Sequence, residues 1–378
     1  MSRPTVISVC GDPGGAQAIA PVIKVLEAER RVDVVNYAYN EGVDILRRHD
    51  IKSTSLPNQI DASWVLQRLQ EDKAVLLLTG TSHNGLNREK LFIRSARHLG
   101  IRSMAVLDFW SNYAVRFSDE QGNLIYLPDV IAVMDERARR EMMADGVPGE
   151  NILVTGQPAF DALAHYRQQF SVVRKLAIRE SLAVRDDDLL VLFASQPMRK
   201  LYGSDESDPA YLGFDEASVL HAVINALDAI SQKSHRRTTL LIRPHPRETA
   251  AEYSHYQSDK INVVVAMQGE SRDYVIASDL VIGMNTALLV EACYLGCLVL
   301  SLQPGLRKAD TLPTNAWGVS LSVCREEEIR PALEEILLND VLRRTVLSKT
   351  TALQLEATAT RNVANYIYAR TLAQSLTG

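Results

Sequence analysis

The stretch Ser278–Leu302, SDLVIGMNTALLVEACYLGCLVLSL, decides the fold. Leu280 to Gly283 is an apolar run of strand length, Met284-Asn285-Thr286 a polar turn, the next residues an apolar helix, and Leu298 to Leu302 a second buried strand. A helix that starts directly after a strand end aims its free N–H groups and positive dipole end at the turn, where an anion is favoured. Glu291, five residues beyond Thr286, is a carboxylate in an otherwise apolar helix, where burial without a partner is costly. A phosphate at the turn and a ribose hydroxyl pair at Glu291 give both features a purpose. An ordinary αβ unit whose glutamate reaches solvent is the alternative.

Working outward, the same plan recurs on both sides. Leu189–Ala194, Thr239–Arg243 and Ile261–Val265 read as further strands of the second half, separated by helical patterns, with Ser320–Val323 a late strand. The first half places strands at Thr5–Cys10, Val32–Tyr37, Ala74–Leu78, Arg102–Leu107, Val130–Met134 and Ile152–Thr155, again alternating with helices. Continuous Val/Ile/Leu runs between helices imply α/β architecture with parallel sheets covered on both faces. The expectation is two Rossmann-like, doubly wound domains facing across a cleft: 1–165, 166–355, and a terminal helix 356–378 packing back across the junction. The boundary falls in a charged helical region, Phe160 to Asp188, expected as one helix. The polar segment Arg199–Gly213 reads as a lid or a solvated insertion at a strand's C-terminal edge.

The chain has 378 residues, 46% of them hydrophobic and 23% charged, with a net charge of -5. That profile fits a globular protein and gives no basic excess for nucleic acid. No apolar run approaches the roughly 20 residues needed to span a bilayer. MSRPTVISVCGDPGG enters a strand at once, so a signal peptide is not expected and a cytoplasmic setting is. The four cysteines are scattered; Cys293 and Cys297 share a helix face but have no nearby histidine or cysteine to complete a metal site. They are expected as reduced packing residues, and no metal is expected.

Several constellations fall at strand C-termini, where ligands bind in such folds. Gly11-Asp12-Pro13-Gly14-Gly15 is a tight βα turn in which Gly14 and Gly15 allow close approach of a ligand or of the chain itself. It lacks the spacing of a dinucleotide or P-loop motif. Arg243-Pro244-His245-Pro246-Arg247 ends a strand with cationic and imidazole groups suited to a diphosphate. Gln196 follows another strand and is a candidate contact to base or phosphate. Asp108 ends a first-half strand beside Trp110 and Tyr113, as a candidate general base next to rings that either stack on a sugar or anchor the core.

These features together resemble the GT-B superfamily of glycosyltransferases, non-hydrolysing UDP-GlcNAc 2-epimerases and CDP-glycerol glycerophosphotransferases. Leu127–Leu163, with VTGQP at a strand end, is similar to the segment leading to that superfamily's interdomain linker. RPHPRE resembles the His-Pro element of polysaccharide transferases, and NTALLVEA the Ser/Thr-x-x-x-x-Glu-Ala donor element. The resemblance implies that His245 contacts donor phosphate, Asn285 and Thr286 bind phosphate, and Glu291 binds ribose. The 2-epimerases carry Gly-Asp-Thr where this chain has Gly80-Thr81-Ser82, and a second catalytic glutamate without a clear counterpart in FSDEQGN.

The expected function is therefore transfer of a sugar, or a polyol phosphate, from a nucleotide-activated donor to a sugar or lipid-linked acceptor in polysaccharide or glycoconjugate assembly. Asp108 and His245 are the candidate catalytic pair. Gly14, Gly15, Gln196, Arg243, Asn285, Thr286 and Glu291 are the candidate binding set. No cofactor beyond the donor is implied. Nucleotide-sugar epimerisation or hydrolysis, and a non-catalytic binding role, are the alternatives. Peripheral membrane association and a homodimer are compatible with the sequence.

Overall fold

A computed structural model of the chain describes residues 3–83, 87–234, 236–353 and 357–375. It divides into two compact units, Met1–Ala162 with Glu356–Gly378, and Leu163–Leu355.

In the first unit, β1 (Thr5–Cys10), β2 (Asp33–Ala38), β3 (Thr54–Ser55), β4 (Ala74–Thr79), β5 (Arg102–Val106), β6 (Val130–Val133) and β7 (Ile152–Val154) form one sheet in the order β3-β2-β1-β4-β5-β6-β7. Every pairing is parallel. The strands are apolar throughout because both faces are covered. Val6, Cys10, Leu76 and Leu78 enter one core with Ile19 and Ile23, while Ile7, Val9 and Leu77 enter the other with Phe92 and Val65. The period of two along β1 and β4 thus divides one run of hydrophobic residues between two cores. The terminal helix Ala359–Ser375 adds Val363, Ala364, Ile367 and Tyr368 to the first of these cores.

The second unit repeats the design with β8 (Leu189–Ala194), β9 (Thr238–Arg243), β10 (Asn262–Val265), β11 (Leu280–Gly283), β12 (Val299–Leu302) and β13 (Leu321–Val323), ordered β10-β9-β8-β11-β12-β13 and all parallel. Each sheet reverses its strand order once, between β1 and β4 and between β8 and β11. At such a point the connections leave in opposite directions and open a crevice beyond the strand C-termini.

Two details refine the sequence reading. The charged region after Phe160 is two helices, Asp161–Gln169 and Val172–Ser181, because Ser171 accepts the Arg174 N–H at 3.1 Å and caps the second. The segment after β8 starts as a short helix, Met198–Tyr202, and continues through exposed residues tied to the rest of the unit at two points. Arg199 donates twice to Asp215 Oδ2, at 2.7 and 3.0 Å, and Arg307 donates to the Glu206 carbonyl at 2.7 Å. Among the described residues, no helix is long and apolar enough to cross a membrane.

Candidate functional site

The switch point of the second unit is built by three strand ends. After β11, Thr286 caps the helix Ala287–Tyr294, its hydroxyl accepting the Leu288 N–H at 3.4 Å. The turn before it is held by Gln196, which follows β8. Gln196 Oε1 accepts the Asn285 N–H at 2.8 Å and its Nε2 donates to the Asn285 carbonyl at 2.5 Å. A primary amide matched to both backbone groups of one residue fixes the turn without charge. The Asn285 side chain donates to Thr311 Oγ1 at 2.6 Å, and its Oδ1 is buried without a hydrogen-bond partner.

Glu291 lies within the same helix and pairs with Arg272, Nε to Oε2 at 2.8 Å; the two side chains are 20% and 16% exposed. The arginine meets the cost of a carboxylate in this apolar helix. It comes from the helix Ser271–Ala277, where nothing in the sequence marked it.

The third strand end is Arg243-Pro244-His245 after β9. The Arg243 guanidinium is turned to the chain: it donates to Ser271 Oγ at 3.0 Å and to the carbonyls of Ala266, Gln268 and Gly269 at 2.7 to 2.9 Å. Its geometry is that of a clamp on the loop after β10. His245 Nδ1 accepts the Arg247 N–H at 3.2 Å, so the neutral ring carries its proton on Nε2. Glu248, the last residue of the RPHPRE element, is 3% exposed and lies beneath this turn. Burial holds its carboxyl above the usual range, with hydrogen bonds from Tyr253 and the His245 N–H pulling the other way.

The first unit's switch point has another character. Asp108 follows β5, and its Oδ1 accepts from Arg116 Nη1 at 2.6 Å and Thr81 Oγ1 at 2.9 Å. Gln157, from the VTGQP strand end, donates to the carbonyls of Leu107 and Asp108 at 3.0 and 3.2 Å. Asp12 lies at the start of the helix Pro13–Glu29, where its Oδ2 accepts the Ser82 hydroxyl at 3.0 Å. Consecutive hydroxyls after β4 therefore hold two carboxylates at one sheet edge. Gly14 and Gly15 are accounted for by contacts within the unit. A side chain at 14 collides with the Asp108 carboxylate, and a Cβ at 15 falls 2.6 Å from the Thr81 carbonyl oxygen and 2.8 Å from its nitrogen. Below the Gly11 turn, Glu89 is fully enclosed, accepting the Gly11 N–H at 3.0 Å and the Tyr39 hydroxyl. Burial pushes its carboxyl up to about 7.

Trp110 and Tyr113 are core anchors rather than stacking platforms. Trp110 is 2% exposed and donates to Asp135 at 2.9 Å; Tyr113 is 6% exposed and donates to Glu141 at 2.6 Å. Among the described residues no group of three His, Cys, Asp or Glu side chains is arranged to hold a metal. Cys293 is buried, the Cys297 thiol faces the Val275 carbonyl, and burial pushes both up to about 12.

No family model matches the chain, and no curated protein matches it by sequence. Solved structures share its fold. The UDP-GlcNAc 2-epimerase of Neisseria meningitidis, bound to UDP-GlcNAc, is similar with a TM-score of 0.69 at 14% identity, over 98% of this chain and 100% of that one. A glycosyltransferase from Rickettsia africae reaches 0.64 at 12% identity, over 98% and 99%. An Anabaena protein in complex with UDP-glucose reaches 0.65 at 13% identity, over 98% and 99%. At such identities the fold is what is shared. The chain has the GT-B fold, with two parallel-sheet α/β units of seven and six strands.

Proposed function

We propose that this chain is an enzyme acting on a nucleoside diphosphate sugar, and that its reaction is epimerisation at a sugar carbon. The observation that carries the reading is the Asn285-Thr286 turn. It is fixed by Gln196 at the N-terminus of a helix with no acidic residue in its first turn, and the Glu291–Arg272 pair lies further along the same helix. The diphosphate is proposed to lie at this turn, the ribose hydroxyls at Glu291, and His245 Nε2–H at a phosphate oxygen. Arg243 and Gln196 act by shaping the loops. N–H groups and an imidazole meet the negative charge of a departing diphosphate, so the reading assigns no metal.

Epimerisation is preferred over transfer for two reasons. UDP-GlcNAc 2-epimerases recur among the structures of similar fold. Inversion at the carbon next to the diphosphate-bearing one also needs a base to take its proton as the diphosphate leaves with the C–O electron pair, and an acid to return a proton on the other face as the diphosphate adds back. Asp108 and Asp12 lie at one edge of the first sheet, each accepting from a hydroxyl that follows β4. Asp108 is the proposed base. Transfer to a sugar or lipid-linked acceptor is the second reading, supported by the likeness to a glycosyltransferase and by the RPHPRE element.

Incubation with UDP-GlcNAc alone separates them. Epimerisation gives a second UDP-sugar by proton NMR, with deuterium entering at the inverted carbon in heavy water. Turnover that appears only when an acceptor is added supports transfer, and absence of any UDP-sugar binding or turnover removes both readings.

A further inference from the structure

The buried Glu248 has no counter-ion in its hydrogen-bond set and no role in the reading above, yet it gathers three separate parts of the second unit. Its Oε2 accepts the His245 N–H at 2.6 Å, and its own N–H returns to the His245 carbonyl at 2.8 Å. The residue therefore closes the His-Pro-Arg turn from both ends. Its Oε1 accepts the Tyr253 hydroxyl at 2.7 Å, and Ser195 Oγ completes a triangle, 3.2 Å from the carboxylate and 2.5 Å from the phenol. Ser195 ends β8 and immediately precedes Gln196, the residue that grips the Asn285 peptide. One carboxylate thus links the ends of β9 and β8 and, through the next residue, the turn after β11.

An ionised carboxylate at 3% exposure is costly unless several donors converge on it, as they do here. An acid is called for where a backbone N–H and two hydroxyls must be held in one arrangement. The arrangement held is the one that places Arg247 N–H on His245 Nδ1 and leaves the imidazole proton on Nε2.

We infer that Glu248 is a positioning residue for His245: it fixes the turn and the ring tautomer that present Nε2–H to the diphosphate of a nucleotide sugar. This rests on the reading that the second unit binds a nucleoside diphosphate, and the test separates the two. Calorimetry with UDP is carried out on wild type, His245→Ala, Glu248→Ala and the double variant, with thermal melts as a control. Each single change is expected to weaken UDP about tenfold, and the double variant to lie within about twofold of His245→Ala. Glu248→Gln is expected to recover to within about threefold of wild type, because its amide oxygen still accepts the His245 N–H while its NH2 faces the two hydroxyls. If Glu248→Ala does not fold, Tyr253→Phe frees one side of the carboxylate and serves in the same cycle, with a loss of about threefold that vanishes in the His245→Ala background. In nitrogen-15 NMR of the imidazole, wild type shows the Nε2–H form and the Glu248 and Tyr253 variants a tautomer mixture. Additive losses, or an unchanged tautomer, overturn the positioning role while leaving the nucleotide reading intact. Wild type that does not bind UDP or UDP-GlcNAc overturns both.

Discussion

At the switch point of the first unit, between β1 and β4, the helix Pro13–Glu29 starts against the chain's own carboxylates, Asp12 and Asp108. At that of the second, between β8 and β11, the helix Ala287–Tyr294 starts against an amide, a hydroxyl and a turn fixed by Gln196. The strand order is the same, so topology creates both edges but does not choose their chemistry. The difference lies in the residues just past each strand. A helix N-terminus attracts negative charge in either case. In the first unit the protein supplies that charge, so the edge is suited to handling protons and hydroxyls. In the second the helix has no acidic side chain in its first turn, so the edge is suited to an incoming anion.

The strongest way to break this contrast is to remove the charge from the first edge. Asp108→Asn keeps the shape and should lower turnover of UDP-GlcNAc about 100-fold or more while leaving UDP affinity within about twofold, as expected for a general base. NMR assay and calorimetry on the same preparation check the split. Equal loss of both would mean that the two edges do not divide the work as described.

Glu89 offers a test of the first edge that needs no substrate. Its folded carboxyl titrates near 7 against an ordinary value of 4.5, chiefly because it is buried. The folded chain therefore holds the proton more tightly than the unfolded one, and stability falls as pH rises. The contribution is fully present below pH 4.5 and lost as pH rises through about 7, a change of about 3 kcal/mol. Denaturant melts from pH 5 to 8 should show that decline in wild type and a flatter profile in Glu89→Gln. A Glu89→Gln profile as steep as wild type would assign the slope to other groups.

The second edge is tested by Glu291→Ala, expected to weaken UDP at least about tenfold by calorimetry through loss of a charged acceptor for ribose hydroxyls. The paired Arg272 is left behind by this change, so Arg272→Met is the natural companion. If Glu291 serves only to neutralise Arg272, the double variant should regain wild-type affinity.

Much of the fold was legible because buried parallel strands read as unbroken apolar runs, as in Leu189–Ala194, and because helices start with recognisable caps and glycine turns. The candidate site was legible only to the level of residue type at a strand end. RPHPR announced cationic groups, but the direction of Arg243 depends on the carbonyls of Ala266, Gln268 and Gly269, contributed by a later loop. Partners of Asp108 and Glu291, and one of those of Glu248, are likewise supplied by other segments: Arg116 and Thr81, Arg272, and Ser195. The fold brings each pair together, and one sequence carries no mark of the pairing.

Trp110 gives the smallest effect and the sharpest distinction between an edge that binds a sugar and one that is simply well anchored. Its indole N–H donates to Asp135 and its ring stacks with Phe160 at a centroid distance of 6.2 Å. Trp110→Phe keeps an aromatic ring but removes that hydrogen bond and some buried area. The expected cost is about 1 kcal/mol, read as a drop of a few degrees in Tm. Because the ring is enclosed, KM for UDP-GlcNAc should stay within about twofold of wild type. A KM that rises severalfold with Tm unchanged would mean that the indole meets the sugar. The first edge would then combine a carboxylate with an aromatic platform, and its contrast with the second would need redrawing.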